Sequence, residues 1–135
     1  MKLLMAGLVV VGLAAVGAAQ ESQAAKTTRQ KLKQKISIEF KDLRTADIFK
    51  DIENEMDKPA KFKVDTNTGM SLNTKYSYKA KDKAVEQILN ELSDKMECGW
   101  IVVSNPSNNK VDGWVIIRKN SKGKERGHEA GKEPK

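Results

Sequence analysis

Few side chains in this sequence could act as nucleophiles or bases, because its 135 residues include one cysteine and one histidine. A reactive thiol needs a neighbouring base or positive charge that stabilises the thiolate. Cys98 stands between a predicted helix and an apolar strand, whereas His128 stands in a polar C-terminal stretch. The pattern favours a buried, unreactive cysteine, with an intermolecular disulfide as the alternative. It predicts no catalytic residue and therefore no enzyme.

Two acidic stretches are the remaining candidates for metal binding or acid–base chemistry. Residues 65–69 (DTNTG) begin like a calcium loop, whose fifth, sixth and twelfth positions require Asp or Asn, Gly and Glu. Those positions hold Gly69, Met70 and Tyr76, so the segment is predicted to be a turn. The other stretch consists of Glu53, Glu55 and Asp57. Acid–base catalysis would require a cleft that raises a carboxyl pKa, and we interpret these residues as a solvated helix face. The sequence predicts no metal site and no cofactor.

The net charge of +7 comes from 25 Lys and Arg against 18 Asp and Glu. The excess lies at two polar ends: residues 20–35 hold five cations and one acid, and residues 119–135 hold six cations and three acids. One function this suggests is weak adhesion of the basic ends to an anionic envelope polymer or lipid. Nucleic acid is not expected as a partner, because the ends have no aromatic side chain for base stacking.

The first 19 residues have the composition of a secretory signal peptide. Met1 and Lys2 precede an uncharged apolar run, and small residues lead to Gln20. The 17 residues from Leu3 to Ala19 are fewer than the roughly 20 that span a bilayer. We therefore expect cleavage near Ala19 and export to the periplasm or the extracellular space, with a retained membrane anchor as the alternative.

Three zones follow the predicted signal peptide. Residues 20–35 contain Leu32 as their single large apolar side chain, and residues 119–135 contain none. Such segments bury too little surface to offset the entropy of ordering them. We predict a basic polar linker at 20–35, a folded domain at 36–118, and a disordered basic tail at 119–135.

The folded zone contains an internal repeat with an offset of 40 residues. Residues 36–56 align with residues 76–96 without a gap, and each copy changes from period-two alternation to helical spacing. The change falls at a Lys-Asp pair in both copies. Asp42 and Asp82 are therefore predicted to be helix N-caps, where a carboxylate accepts hydrogen bonds from free N–H groups.

Apolar strands follow each helix of the repeat. Residues 61–64 follow the first helix, and residues 100–103 and 113–118 follow the second. The predicted order is β-α-β-β-α-β-β, built from two βαβ-like repeats. Two helices that each have one apolar stripe imply a small α+β domain with the helices packed on small sheets.

The stretch SIEFKDLRTADIFKDIENEMDKPAKFKVD resembles the first half of the secretin and TonB short N-terminal (STN) domain. The stretch YSYKAKDKAVEQILNELSDKMECGWIVV, with the later GWVIIRK, is similar to the second βαβ unit of that family. One departure is the segment 65–74, which is longer than the usual link between the halves. The resemblance implies a protein–protein contact module of the cell envelope, with no catalytic residue to carry over. We expect this chain to be a small, standalone, exported member.

Trp100 and Trp114 lie in strands that are apolar on both faces. Such strands are covered on both sides, or one face stays open and offers an aromatic anchor to a partner. Exposed strand edges also bind partners, through unpaired N–H and C=O groups. The sequence therefore predicts a non-enzymatic interaction domain whose candidate contacts are Trp100, Trp114, edge strand 61–64 and strand 113–118.

Overall fold

A computed structural model describes residues 21–107, 110–119 and 124–132. Within these residues the chain forms three α-helices, α1 (Gln23–Lys31), α2 (Thr45–Glu55) and α3 (Val85–Met96). The strands are β1 (Lys35–Arg44), β2 (Phe62–Asp65), β3 (Lys75–Ala84), β4 (Gly99–Val102), β5 (Val115–Arg118) and β6 (Arg126–Gly127). The fold is α+β, as predicted, and the order from β1 to β5 is the predicted β-α-β-β-α-β-β. The proposed signal peptide, 1–19, lies outside the described residues.

β1 and β3 form a two-stranded antiparallel ribbon. Each strand has a bulge near its C-terminal end, at Asp42 (φ 51°) and at Asp82 (φ 49°). The N–H of Asp42 donates to Ser77 Oγ, and the N–H of Asp82 donates to Ser37 Oγ, both at 2.9 Å. Asp tolerates the left-handed region better than most residues, and bulges use that region.

The prediction that Asp42 and Asp82 are helix N-caps is wrong. Both strands continue beyond the bulges, and the N-cap positions are Arg44 and Ala84, whose side chains make no capping hydrogen bond. The left-handed conformation at the bulge, and not the needs of a helix end, explains why an aspartate stands at each position.

The prediction of two βαβ repeats is not confirmed. β1 and β3, the first residues of α2 and α3, and the two bulge aspartates are each offset by 40 residues, and the two strands pair antiparallel with each other. The strands after the helices do not correspond. The second sheet has the order β2-β5-β4-β6, in which β2 runs parallel to β5 and β4 runs antiparallel to it.

The core lies between the helices and the inner faces of both sheets. α2 contacts β1 and β2, and α3 contacts β3 and β4, so the two helices connect the ribbon to the second sheet. Their apolar stripes are fully buried, as the helical spacing predicts. The core residues of these helices are Ile48, Phe49, Ile52, Val85, Ile88, Leu89, Leu92 and Met96.

The prediction of a linker at 20–35 is wrong for most of that segment, because it contains α1. The hydroxyl of Ser22 caps the helix by accepting from the N–H of Ala25 at 3.1 Å. Ala25 and Leu32 are 0% and 1% exposed and belong to the core. The low apolar content of the segment led to the linker prediction, but two well-placed apolar side chains are sufficient to dock a short helix.

The segment after α1 also completes the N-terminus of α3. The first N–H groups of α3 have no side-chain cap, and the free N–H groups at a helix start need hydrogen-bond acceptors. The N–H of Val85 donates to the carbonyl of Gln34 at 2.9 Å, and that of Glu86 donates to the carbonyl of Leu32 at 3.0 Å. The N-terminal segment is therefore part of the domain.

The prediction of a disordered tail at 119–135 is wrong for residues 124–132. β6 pairs parallel with β4, with Trp100 opposite Arg126. Glu125 is 1% exposed, and both of its carboxylate oxygens accept hydrogen bonds from Arg118. An ion pair with a buried carboxylate, which composition does not reveal, fixes this segment to the sheet.

Candidate partner-binding surfaces

The two tryptophans, which the sequence could not assign to a face, lie in different environments. Trp100 is 4% exposed, and its indole Nε1 donates to Asn90 Oδ1 at 2.8 Å. Its burial contradicts the prediction that it anchors a partner. Trp114 is half-buried and lies outside the core, with Lys61 Nζ 5.5 Å from its ring centroid. Trp114 remains a candidate contact.

Four apolar side chains lie on the face of the second sheet that points away from the core. Strand alternation places Val115 and Ile117 in the core and their neighbours on the other face. We call these neighbours the outer apolar patch: Ile101, Val103, Trp114 and Ile116. None of the four belongs to the core cluster, and all except Ile101 are partly exposed.

β2 lies at an edge of the second sheet, with β5 beside it and no other strand against it in the described part of the chain. The N–H of Val115 donates to the carbonyl of Lys61 at 2.8 Å. In a parallel pair, alternate residues bond to the neighbouring strand. The amides of Phe62 and Val64 therefore point away from β5, and the N–H of Phe62 donates to Glu53 Oε1 at 3.3 Å. The predicted docking strand 61–64 thus lies at a sheet edge.

Strand 113–118 is not an edge. β5 lies between β2 and β4, so both sides of its backbone are paired. Of the candidate contacts on strand 113–118, its backbone edge is therefore excluded, and its outer face with Trp114 remains. Sequence order alone does not show that β5 inserts between β2 and β4.

The basic ends border a groove of about 490 Å³ between α1, α3 and the segment around β6. Trp100 lines it, and cations and acids both face it. Arg29 Nε lies 2.6 Å from Glu21, and Arg126 Nη2 lies 2.6 Å from Asp94. These two cations are folded and paired with acids of the same chain, which reduces the charge that they offer to a polyanion.

Cys98 is 1% exposed, which confirms the prediction of a buried thiol. Desolvation raises the pKa of Cys98, although a hydrogen bond with Ser93 partly opposes it. A thiol held in its neutral form is a poor nucleophile. The geometry gives Cys98 a packing role in the folded chain.

Among the acidic candidates, Asp65 and Glu53 accept backbone hydrogen bonds, and Glu55 and Asp57 are exposed. The carboxylate of Asp65 accepts from the N–H of Asn67 at 3.0 Å and caps a single 3₁₀ turn, Thr66–Thr68, that ends at Gly69 (φ 100°). This is the predicted turn. Among residues 21–107, 110–119 and 124–132, no three His, Cys, Asp or Glu side chains are grouped as a metal site would require.

The outward face of the β1–β3 ribbon carries a basic surface that the sequence analysis missed. Its six exposed cations are Lys35, Lys41, Arg44, Lys75, Lys79 and Lys81. The net charge of residues 36–118 conceals these cations, because the helices of the same zone carry more acids than lysines. The alternate spacing of Lys79 and Lys81 beside inward-facing Tyr78 and Ala80 was the signal that could have revealed this face.

Comparison with protein-family models, with curated proteins and with solved structures gives no match. None of the helices in the described part of the chain combines the length and the apolar character needed to cross a bilayer.

Proposed function

We propose that this protein is a non-enzymatic interaction module, exported to the periplasm or the extracellular space, that binds a protein partner along β2. The observation that carries the proposal is the edge position of β2, whose Val64 amide points away from the sheet. An extended segment of a partner can add to such an edge through main-chain hydrogen bonds. The resemblance to STN domains supports the same class of function, and residues 1–19 support export.

The side chains around β2 define the chemistry of the partner segment. Lys61, Lys63 and Asp65 alternate along the outer face of β2, and Lys61 lies over Trp114. A segment with acidic side chains at alternate positions would pair with the two lysines. Apolar side chains near the same segment would cover Trp114 and Ile116, which are partly exposed.

Two substitutions at Val64 separate backbone binding from side-chain packing. Val64→Pro removes the outward N–H, and edge strands tolerate proline at such positions. Val64→Ala keeps that N–H and removes a similar amount of packing. The full chain, carrying an affinity tag, is incubated with exported proteins of the producing cell, and retained proteins are quantified by mass spectrometry for each variant.

We expect a protein retained by the wild type and by Val64→Ala to be lost from Val64→Pro. Trp114→Ala should reduce retention of the same protein, whereas Lys95→Ala on the exposed surface of α3 should not. Circular dichroism verifies that each variant is folded. Equal retention by the proline and alanine variants would rule out strand addition at β2.

A further inference from the structure

The six cations of the basic ribbon face lie on one side of a single structural unit. The inward side chains of β1 and β3 pack against the core, and the outward ones are exposed. Glu39, paired across the ribbon with Lys79, and the bulge residues Asp42 and Asp82 are the acids of this face. The two strands have 10 residues each, so the face is about 30 Å long at roughly 3.3 Å per residue.

One pair on this face opposes like charges. Arg44 is directly opposite Lys75 in the antiparallel register, an arrangement that costs stability. Arg44 also contacts Asp47 of α2, with 3.1 Å between Nε and Oδ2. Asp47 offsets part of this repulsion, and an anionic ligand beside Arg44 and Lys75 would offset the rest.

We propose that the basic ribbon face binds a linear acidic polysaccharide. The proposal is independent of strand addition, because β2 belongs to the other sheet. A linear polyanion can contact cations along the whole length of the face at once. Two-stranded ribbons are strongly twisted, and a flexible polymer follows that twist better than a planar bilayer does.

The composition of the face also favours a polysaccharide over nucleic acid or protein as the ligand. Its outward residues in β1 and β3 include no aromatic side chain and no large apolar one. Single-stranded nucleic acid binding uses aromatic stacking, and stable protein interfaces need an apolar centre. Contact by charge alone suits a carbohydrate chain whose anionic groups are displayed along its length.

The acids of the helices direct a polyanion to this face. α2 has four acids and one lysine, and α3 has three acids and one lysine, of which Glu91 and Asp94 are paired with Lys83 and Arg126. The ribbon face thus has a net positive charge, whereas α2 and α3 each have a net negative charge. This separation repels a polyanion from the helical side and orients it toward the ribbon.

The test measures binding of a size-defined heparin oligosaccharide to the full chain by titration calorimetry at several salt concentrations. The variant Lys75→Glu/Lys81→Glu reverses two ribbon charges, and the first change turns a repulsive pair with Arg44 into an attractive one. The matched control is Lys50→Glu/Lys95→Glu, which makes the same net charge change at exposed positions on α2 and α3. A third variant, Lys26→Glu/Lys33→Glu, makes the same net charge change in the N-terminal segment.

We expect the ribbon variant to bind heparin at least about tenfold more weakly and to reduce the slope of log K against log salt by about two. The control and the N-terminal variant should lose less than threefold. Equal losses in all three variants would show attraction by net charge and overturn the proposal. The proposal would also be overturned if phosphatidylglycerol vesicles, or single-stranded DNA of equal charge, bound more tightly than heparin and lost that binding in the ribbon variant.

Discussion

Arg118 holds the carboxylate of Glu125 by two hydrogen bonds, with Nε 2.8 Å from Oε1 and Nη2 bonded to Oε2. The Glu125 side chain is 0% exposed, whereas that of Arg118 is 21% exposed. Because Arg118 donates this hydrogen bond to the Glu125 carboxylate, its pKa is raised, so the guanidinium stays charged at any ordinary pH. This pair fixes the segment 124–132 to the end of β5.

The unequal exposure of the two partners predicts unequal effects of removing them. Arg118→Ala leaves a buried carboxylate without its cation and should cost about 3 kcal/mol of the free energy of unfolding. Glu125→Ala leaves a guanidinium that can be hydrated, so its cost should be about half as large. Urea unfolding of both variants measures the difference.

The double variant provides the control for this prediction. Because both residues belong to one pair, the cost of Arg118→Ala/Glu125→Ala should be clearly smaller than the sum of the single costs. A loss from Glu125→Ala that equals or exceeds the loss from Arg118→Ala would contradict the assigned roles.

The bulge at Asp42 predicts an order of substitutions that differs from that of a helix N-cap. The left-handed conformation favours glycine, so Asp42→Gly should keep or slightly raise the free energy of unfolding. Asp42→Ser should lower it by about 1 kcal/mol, because serine pays the cost of φ near 51°. At an N-cap the order would reverse, since serine caps as well as aspartate.

Thermal unfolding of the two variants separates these interpretations. Asp82 has the same geometry, with a φ of 49°, so Asp82→Gly and Asp82→Ser form a matched second series. If the serine variants unfold at the wild-type temperature while the glycine variants unfold earlier, the aspartates act as caps and not as bulge residues.

How far the sequence predicts this fold depends on the range of the interactions concerned. Period-two and helical spacing are local, and they predicted β1, α2, β3 and α3. Asp42 was misassigned because a bulge and a helix cap favour the same residue type next to a helix. The insertion of β5 between β2 and β4 is a long-range pairing that local periodicity does not encode.

The candidate surfaces were also only partly predictable, because their exposure depends on long-range packing. Alternation correctly divided β5 into two faces, yet it could not decide that Val115 points into the core and Trp114 away from it. That choice depends on which side the helices pack. The basic ribbon face was missed because it forms only when β1 and β3 pair and place their cations on one surface.

The docking of α1 predicts that the N-terminal segment stabilises the domain. Leu32 is 1% exposed and belongs to the core, so Leu32→Ala should cost roughly 2–5 kcal/mol. Lys33→Ala, at the exposed neighbouring position, should cost less than about 0.5 kcal/mol. Denaturant unfolding checks both, and a Leu32→Ala midpoint equal to that of Lys33→Ala would show that the segment is not packed in solution.

The different environments of the two tryptophans predict different fluorescence. Trp114→Phe leaves Trp100, which is 4% exposed, so its emission should be blue-shifted and resist quenching by acrylamide. Trp100→Phe leaves the half-buried Trp114, whose emission should lie at longer wavelength and be quenched more strongly. Lys61→Ala removes the cation 5.5 Å from the Trp114 ring and should raise the quenching constant of Trp114 further.

Because Trp100→Phe also removes the hydrogen bond to Asn90, the near-ultraviolet circular dichroism of this variant must show an intact core before the comparison is made. Equal quenching of the two single-tryptophan variants would remove Trp114 from the proposed partner contact.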